Sequence, residues 1–228
     1  VPLLLAVSFG GCASTVPETS PLDLEVAIEN LHRPLSGDPA ALYRLRVSSS
    51  GGLRMSVVTS GDQGRLTVSE PFGAAVSLTA WSGSEPPIFF DLREGCRLEA
   101  SDLEQALGVA AMPLPPAVRL LVGRLPAVDE DWVAARGDGR ILVEGRQWAA
   151  LVRVAADPWR VVSVEEAGIR GRGWRFELED HSLSVPGFIR VENRDGRWAE
   201  LELLRLEWNR DGELPPLPDL PPCTAVID

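Results

Sequence analysis

The sequence predicts a mainly β fold with short α-helices: an unclosed antiparallel β-barrel of about ten to eleven strands, its apolar cavity capped by the helices. Three observations lead there. Apolar and polar residues alternate with a period of two in run after run from Leu42 onward, as half-buried strands require. Gly, Asp or Pro punctuates these runs, the mark of an antiparallel meander with hairpin turns. Helical spacing is confined to one stretch ahead of the strands and to an interruption midway through them. A sheet of so many strands curls, and half-closed it leaves an interior wide enough for a ligand. With 228 residues and 45% hydrophobic content the chain easily fills a core, so disorder is not the global state.

The first residues, VPLLLAVSFGGCAST, resemble the end of a bacterial lipoprotein signal peptide: an apolar run over Leu3–Val7, small residues, then Cys12. Gly11 suits the position before a lipidated cysteine, while Phe9 and Gly10 match less well. Residues 1–12 therefore read as a truncated signal that ends at a lipidated Cys12, since no start methionine or charged n-region precedes them. The run is too short to span a bilayer as a helix. Ala13, not Asp, follows the cysteine, which under the sorting rule of enterobacterial lipoproteins points to the periplasmic face of the outer membrane. Residues 13–20 are a polar tether.

A domain over residues 21–209 follows. Ser20-Pro21-Leu22-Asp23 is a helix start, with Ser as N-cap and Pro at the first helical position. Leu24, Ala27, Ile28 and Leu31 continue at helical spacing until Arg33-Pro34 breaks the helix. Alternation then sets in. Leu53, Met55 and Val57 share one face, Leu66 and Val68 another, and Val76, Leu78 and Ala80 a third, with breaks at Gly51-Gly52, Gly61–Gly64 and Gly83. Short strands around Ile88-Phe89-Phe90 and Cys96-Arg97-Leu98 complete the first half.

The interruption begins with a capping box at Ser101-Asp102-Leu103-Glu104 and a helix ending at Gly108. Residues 110–127, AAMPLPPAVRLLVGRLPA, carry four prolines and two arginines among almost wholly apolar or small residues. Pro115-Pro116 can open a helix over Ala117–Val122 that stops at Gly123. Leu114, Val118 and Leu121 share one face while Leu120 and Val122 fall elsewhere, so this helix needs apolar partners on more than one side. It reads either as a connector wedged in a core or as a lid over a cavity.

Strands resume at Arg140–Val143, Trp148–Val154, Trp159–Glu165, Trp174–Leu178, Phe188–Glu192 and Trp198–Trp208. In the last run the apolar phase slips, and a bulge near Leu203-Leu204 would resolve it. Residues that would line the cavity are Met55, Val57, Leu66, Val68, Val76, Leu78, Trp174 and Phe176, with Leu114, Val118 and Leu121 from the cap. Residues 210–228 form a Pro-rich tail that cannot add an ordinary central strand. In an oxidising compartment Cys96 and Cys223 are the candidate disulfide pair, although spacing alone does not show that they meet.

The segments SEPFGAAVSL, ASDLEQALGVAAMPLPPAVRLLVGRLP, WAALVRV and LSVPGFIRVENRDGRWAELELLRLEWN, in that order, together resemble the outer-membrane lipoprotein receptor family LolB, within the LolA/LolB-like superfamily of lipoprotein carriers. The resemblance covers roughly residues 41 to 209. It implies an unclosed β-barrel whose cavity accepts the acyl chains of lipoproteins handed over by a periplasmic carrier. It further implies an exposed loop, here Pro71-Phe72-Gly73, whose apolar tip helps put the cargo into the membrane. By position that tip is Phe72.

Charge and composition narrow the remaining classes. A net charge of −11 repels nucleic acid and gives no attraction to anionic lipid, so membrane contact must be hydrophobic or covalent. Every basic residue counted is Arg, which removes the phosphate-cradling lysine loop, Schiff-base lysines and Ser-Lys dyads. No cofactor motif, metal-site spacing or catalytic elbow stands out, and the chain reads as no enzyme. Its titratable candidates, His32, His181 with Glu179-Asp180, Glu165-Glu166 and Asp129–Asp131, read as exposed structural groups. The rival readings are a structural or interaction lipoprotein of the same fold, with a packed interior, and a lipid carrier with another cargo.

Overall fold

Alternation at period two becomes, in the computed structural model of the chain, one unclosed antiparallel sheet of thirteen strands among the described residues. Those residues are 21–32, 37–48, 50–83, 85–99, 112–127, 131–146, 148–167, 173–181, 185–209 and 212–223. The elements run α1 (Pro21–His32), β1 (Asp38–Val47), β2 (Ser50–Ser60), β3 (Gln63–Ser69), β4 (Ala75–Ser82), β5 (Ile88–Asp91), β6 (Cys96–Glu99), α2 (Leu114–Leu121), β7 (Trp132–Ala135), β8 (Ile141–Glu144), β9 (Ala149–Ala155), β10 (Arg160–Glu166), β11 (Trp174–Glu179), β12 (Phe188–Asn193) and β13 (Trp198–Asn209). Cys12, the tether and the helix expected at Ser101–Gly108 lie outside the described residues.

Strand order is β6-β5-β4-β3-β2-β1-β13-β12-β11-β10-β9-β8-β7. Two meanders, β1–β6 and β7–β13, are thus joined through the β1·β13 pair, and the free edges are β6 and β7. The chain that leaves one edge and enters the other is the segment carrying α2. The helical interruption in the sequence is therefore the crossover between the two edges of the opening.

The strand count exceeds the expectation for local reasons. β7 is Trp-Val-Ala-Ala, which has no polar residue to alternate with. β1 starts at Asp38 rather than Leu42, with Pro39 inside the strand. Gly51 and Gly52 lie within β2 instead of ending it, and the turn falls just before Ser50, which pairs with Val47. The expected bulge is present: Leu42 pairs with Arg205 and Tyr43 with Leu203, leaving Leu204 as the extra residue.

A second bulge was not foreseen. Val68 pairs with Ser77 but Ser69 with Ala75, so Val76 is the extra residue in β4. The phase flips there, so Ser77, Thr79 and Trp81 face the same way as Leu66 and Val68 while Leu78 faces the other way. Leu78 packs instead with Ala80 and Phe90 in a small cluster on the opposite side of the sheet, partly covered by Ile88, Leu92 and Leu220 of the C-terminal tail.

That tail is pinned. Cys96 and Cys223 form a disulfide across a sequence separation of 127 residues. Arg97 N–H donates to the Pro221 carbonyl and Cys223 N–H to the Arg97 carbonyl, both close to 3 Å (2.9 and 2.8 Å). The extended segment thereby pairs with part of the β6 edge, where prolines, which lack a ladder N–H, are tolerated.

Candidate functional site

Every strand except β5 and β6 contributes one apolar face to a common interior. Met55, Val57, Leu66, Val68, Trp174 and Phe176 are buried there in one cluster, together with Tyr43, Leu45, Ile189 and Leu201 from the strands between them. Trp174 and Phe176 meet edge to face, 5.5 Å apart, the favoured geometry for paired rings. Val76 packs at the margin of this cluster, half-buried. Of the strand residues expected to line the cavity, Leu78 alone is elsewhere, turned out by the Val76 bulge.

From the cap, Leu114, Val118 and Leu121 join the same cluster, as do Ala117 and Leu120. Burial of six of the eight residues of α2 follows from an apolar character that wraps most of its circumference. A helix of two turns is marginal in water, yet each fully buried Leu contributes roughly 1.5–3 kcal/mol. Packing therefore holds α2, with two prolines in the first turn where no N–H partner is lost. Beyond its end, Gly123 takes the left-handed conformation at φ 76°, which a Cβ would disfavour.

The two arginines of the quoted segment have a specific task. Arg119 donates through its side chain to the His32 carbonyl and Arg124 to the Asn30 carbonyl, each at 3.1 Å. Leu125 N–H donates to the Leu31 carbonyl at 3.3 Å. Together they satisfy the carbonyls that a helix C-terminus leaves unpaired and place positive charge at the negative end of the α1 dipole. Leu24, Ala27 and Leu31 of α1 pack into the main core, so α1 and α2 form one covering unit. Its tie to the strands is Tyr43, whose hydroxyl donates to the Leu121 carbonyl at 2.9 Å. Burial raises the Tyr43 pKa far above the usual phenol range, so that hydroxyl keeps its proton.

The loop between β3 and β4 is built to present its tip. Gly73 N–H donates to the Glu70 carbonyl at 2.9 Å, and Glu70 N–H to the Ala74 carbonyl at 2.8 Å. This is a three-residue hairpin loop with Pro71 at the second turn position and Gly73 at φ 98°. Phe72 occupies the apex and is 100% exposed. Arg93 pairs with Glu70 at the base of the loop at 3.1 Å.

The convex side carries the charge. Arg44 pairs with Glu202 across β1 and β13 at 2.5 Å, and Arg190 with Glu200 across β12 and β13 at 3.2 Å. Such half-exposed pairs contribute little stability but keep this face wet. His181, Glu179 and Asp180 do gather, with Arg160, Val162 and Leu178, around an open recess of about 470 Å³ at the ends of β10 and β11. There the His181 Nε2–H donates to the Val161 carbonyl at 2.9 Å, and burial lowers its pKa. The ring is a neutral brace between strands. Among the described residues no three His, Cys, Asp or Glu side chains converge as a metal site requires.

Pattern reading passed over Tyr43, the β4 hydroxyls and the arginine clamp. Of these only the arginines left a signal: charges inside an otherwise apolar segment need partners. No known family profile and no curated protein matches the chain. Among solved structures it is similar to a LolA superfamily protein from Nitrosomonas europaea, with a TM-score of 0.56 and 14% identity over 86% of this chain and 96% of that one. The shared feature is the fold.

Proposed function

We propose that this chain is a non-enzymatic, lipid-anchored carrier that holds the acyl chains of lipoproteins or lipid against its concave face and delivers them into the outer membrane from the periplasmic side. One observation carries this reading. The crossover that joins the two edges of the sheet carries an apolar helix, α2, packed against the apolar concave face, an arrangement that suits a covered acyl site. Similarity in fold to a LolA superfamily protein supports it.

The chemistry sets the need. At about 0.8 kcal/mol per CH₂, exposing one chain of roughly 16 carbons to water costs about 12 kcal/mol, so acylated cargo does not cross an aqueous space unaided. A receiving protein needs only a modest affinity advantage over its donor, which is here a periplasmic carrier. Cys12 would supply the anchor and Phe72 the membrane contact.

Mass spectrometry of the purified protein tests the reading, followed by displacement of an apolar fluorescent dye with palmitate. Co-purifying acylated peptide or lipid and saturable displacement are expected. Absence of both would mean a packed interior and a structural role.

A further inference from the structure

Besides Tyr43, whose hydroxyl is paired, the described residues bury three hydroxyl side chains, all on the concave wall: Thr59 on β2, Ser77 and Thr79 on β4. Thr59 donates to the Pro39 carbonyl at 3.2 Å. Thr79 differs: it is 1% exposed and its Oγ1 has no hydrogen-bond partner.

Register explains the orphan. The residues directly opposite Thr79 are Leu66 on β3 and Phe89 on β5, both hydrocarbon. Ser77, next on the same face of the strand, is about 7 Å away, two residues at the strand rise. A buried hydroxyl left unpaired is unfavourable, whereas valine fills the same volume without that penalty. Nothing in the packing of β3, β4 and β5 calls for oxygen at this position. A partner arrives only if a molecule with an acceptor enters the concave face.

We propose that Thr79 Oγ1 donates a hydrogen bond to the carbonyl oxygen of an acyl group held beside Leu66 and Phe89. The protein then distinguishes acyl chains, which carry an ester or amide carbonyl, from bare hydrocarbon. This inference rests on the carrier function proposed above and adds to it the part of the cargo that is read.

The test compares dipalmitoylglycerol with its ether-linked counterpart dihexadecylglycerol, which has equal chains and no carbonyl, by displacement of an apolar dye from the full chain. Wild-type protein should favour the ester about tenfold, the equivalent of one hydrogen bond. Thr79→Val should bring that ratio to within about twofold with the ether affinity unchanged. Thr79→Ser, which keeps the hydroxyl, should retain the preference. Equal wild-type affinity for ester and ether overturns the inference and leaves the carrier function standing. The same holds if Thr79→Val weakens both ligands alike, because Thr79 is then a packing residue. If wild-type protein binds neither lipid and no dye, the carrier function falls and this inference with it.

Discussion

Phe72 sits at the apex of a loop too short to fold its ring back on the sheet, and Pro71 and Gly73 on either side leave it fully exposed. On a chain of net charge −11 the proposed membrane contact rests on this apolar ring and not on charge. Phe72→Glu should shift stability by under about 0.5 kcal/mol and leave dye binding intact, while transfer of acylated cargo into liposomes falls sharply. Undiminished transfer would remove the insertion role. Tyr43 shows the opposite environment. Tyr43→Phe leaves the Leu121 carbonyl without its donor and should cost about 1–3 kcal/mol, read by chemical denaturation. The phenol also predicts a pH effect. Its folded pKa lies above the unfolded value of about 10, so the folded state holds the proton more tightly. Stability from this group is complete below pH about 10 and declines by up to about 1.4 kcal/mol per unit above it. Because Tyr43 is the single tyrosine, absorbance at about 295 nm reports its ionisation alone; the phenolate signal should appear only as the protein unfolds.

At the scale of elements, the sheet edges are managed by the chain itself. The disulfide from Cys96 to Cys223 holds the tail along β6 and sets Leu220 on the outward cluster of Leu78 and Phe90. Closing a loop of this length stabilises a fold by about 4–5 kcal/mol in the chain-entropy account. Cys223→Ser should therefore lower the melting temperature and speed hydrogen exchange at the Arg97 amide, which donates to Pro221 in the intact protein. Unchanged protection at Arg97 would show that backbone pairing, and not the disulfide, retains the tail. The α1–α2 unit is held differently, by the Arg119 and Arg124 side chains on backbone carbonyls, so reducing the disulfide should leave it in place.

Across the whole molecule the two faces of one sheet differ, with the main core and the helical cover inside, and ion pairs and the small Leu78–Phe90 cluster outside. The net charge of −11 predicts how the proposed delivery responds to lipid charge. Delivery should be slower to anionic than to neutral vesicles at low salt, and the difference should shrink near physiological ionic strength, where the screening length is about 8 Å. Transfer that speeds up with anionic lipid content would contradict a hydrophobic mode of contact.

Much of this was written locally. Alternation such as Trp174-Arg175-Phe176-Glu177-Leu178 marks a strand with one buried face, and the slip at Leu203-Leu204 marks a bulge, because side-chain direction in a strand depends only on position along it. Proline and glycine around α2 set its limits for the same reason. Tertiary structure alone decided what lies far apart in sequence: that β1 closes on β13, that the two edges are β6 and β7, and that Tyr43 meets Leu121. It also decided Leu78. Its apolar spacing with Val76 and Ala80 is satisfied by either face, and the choice is made by the register of β4 against β3, an energy shared between strands and carried by neither sequence segment alone.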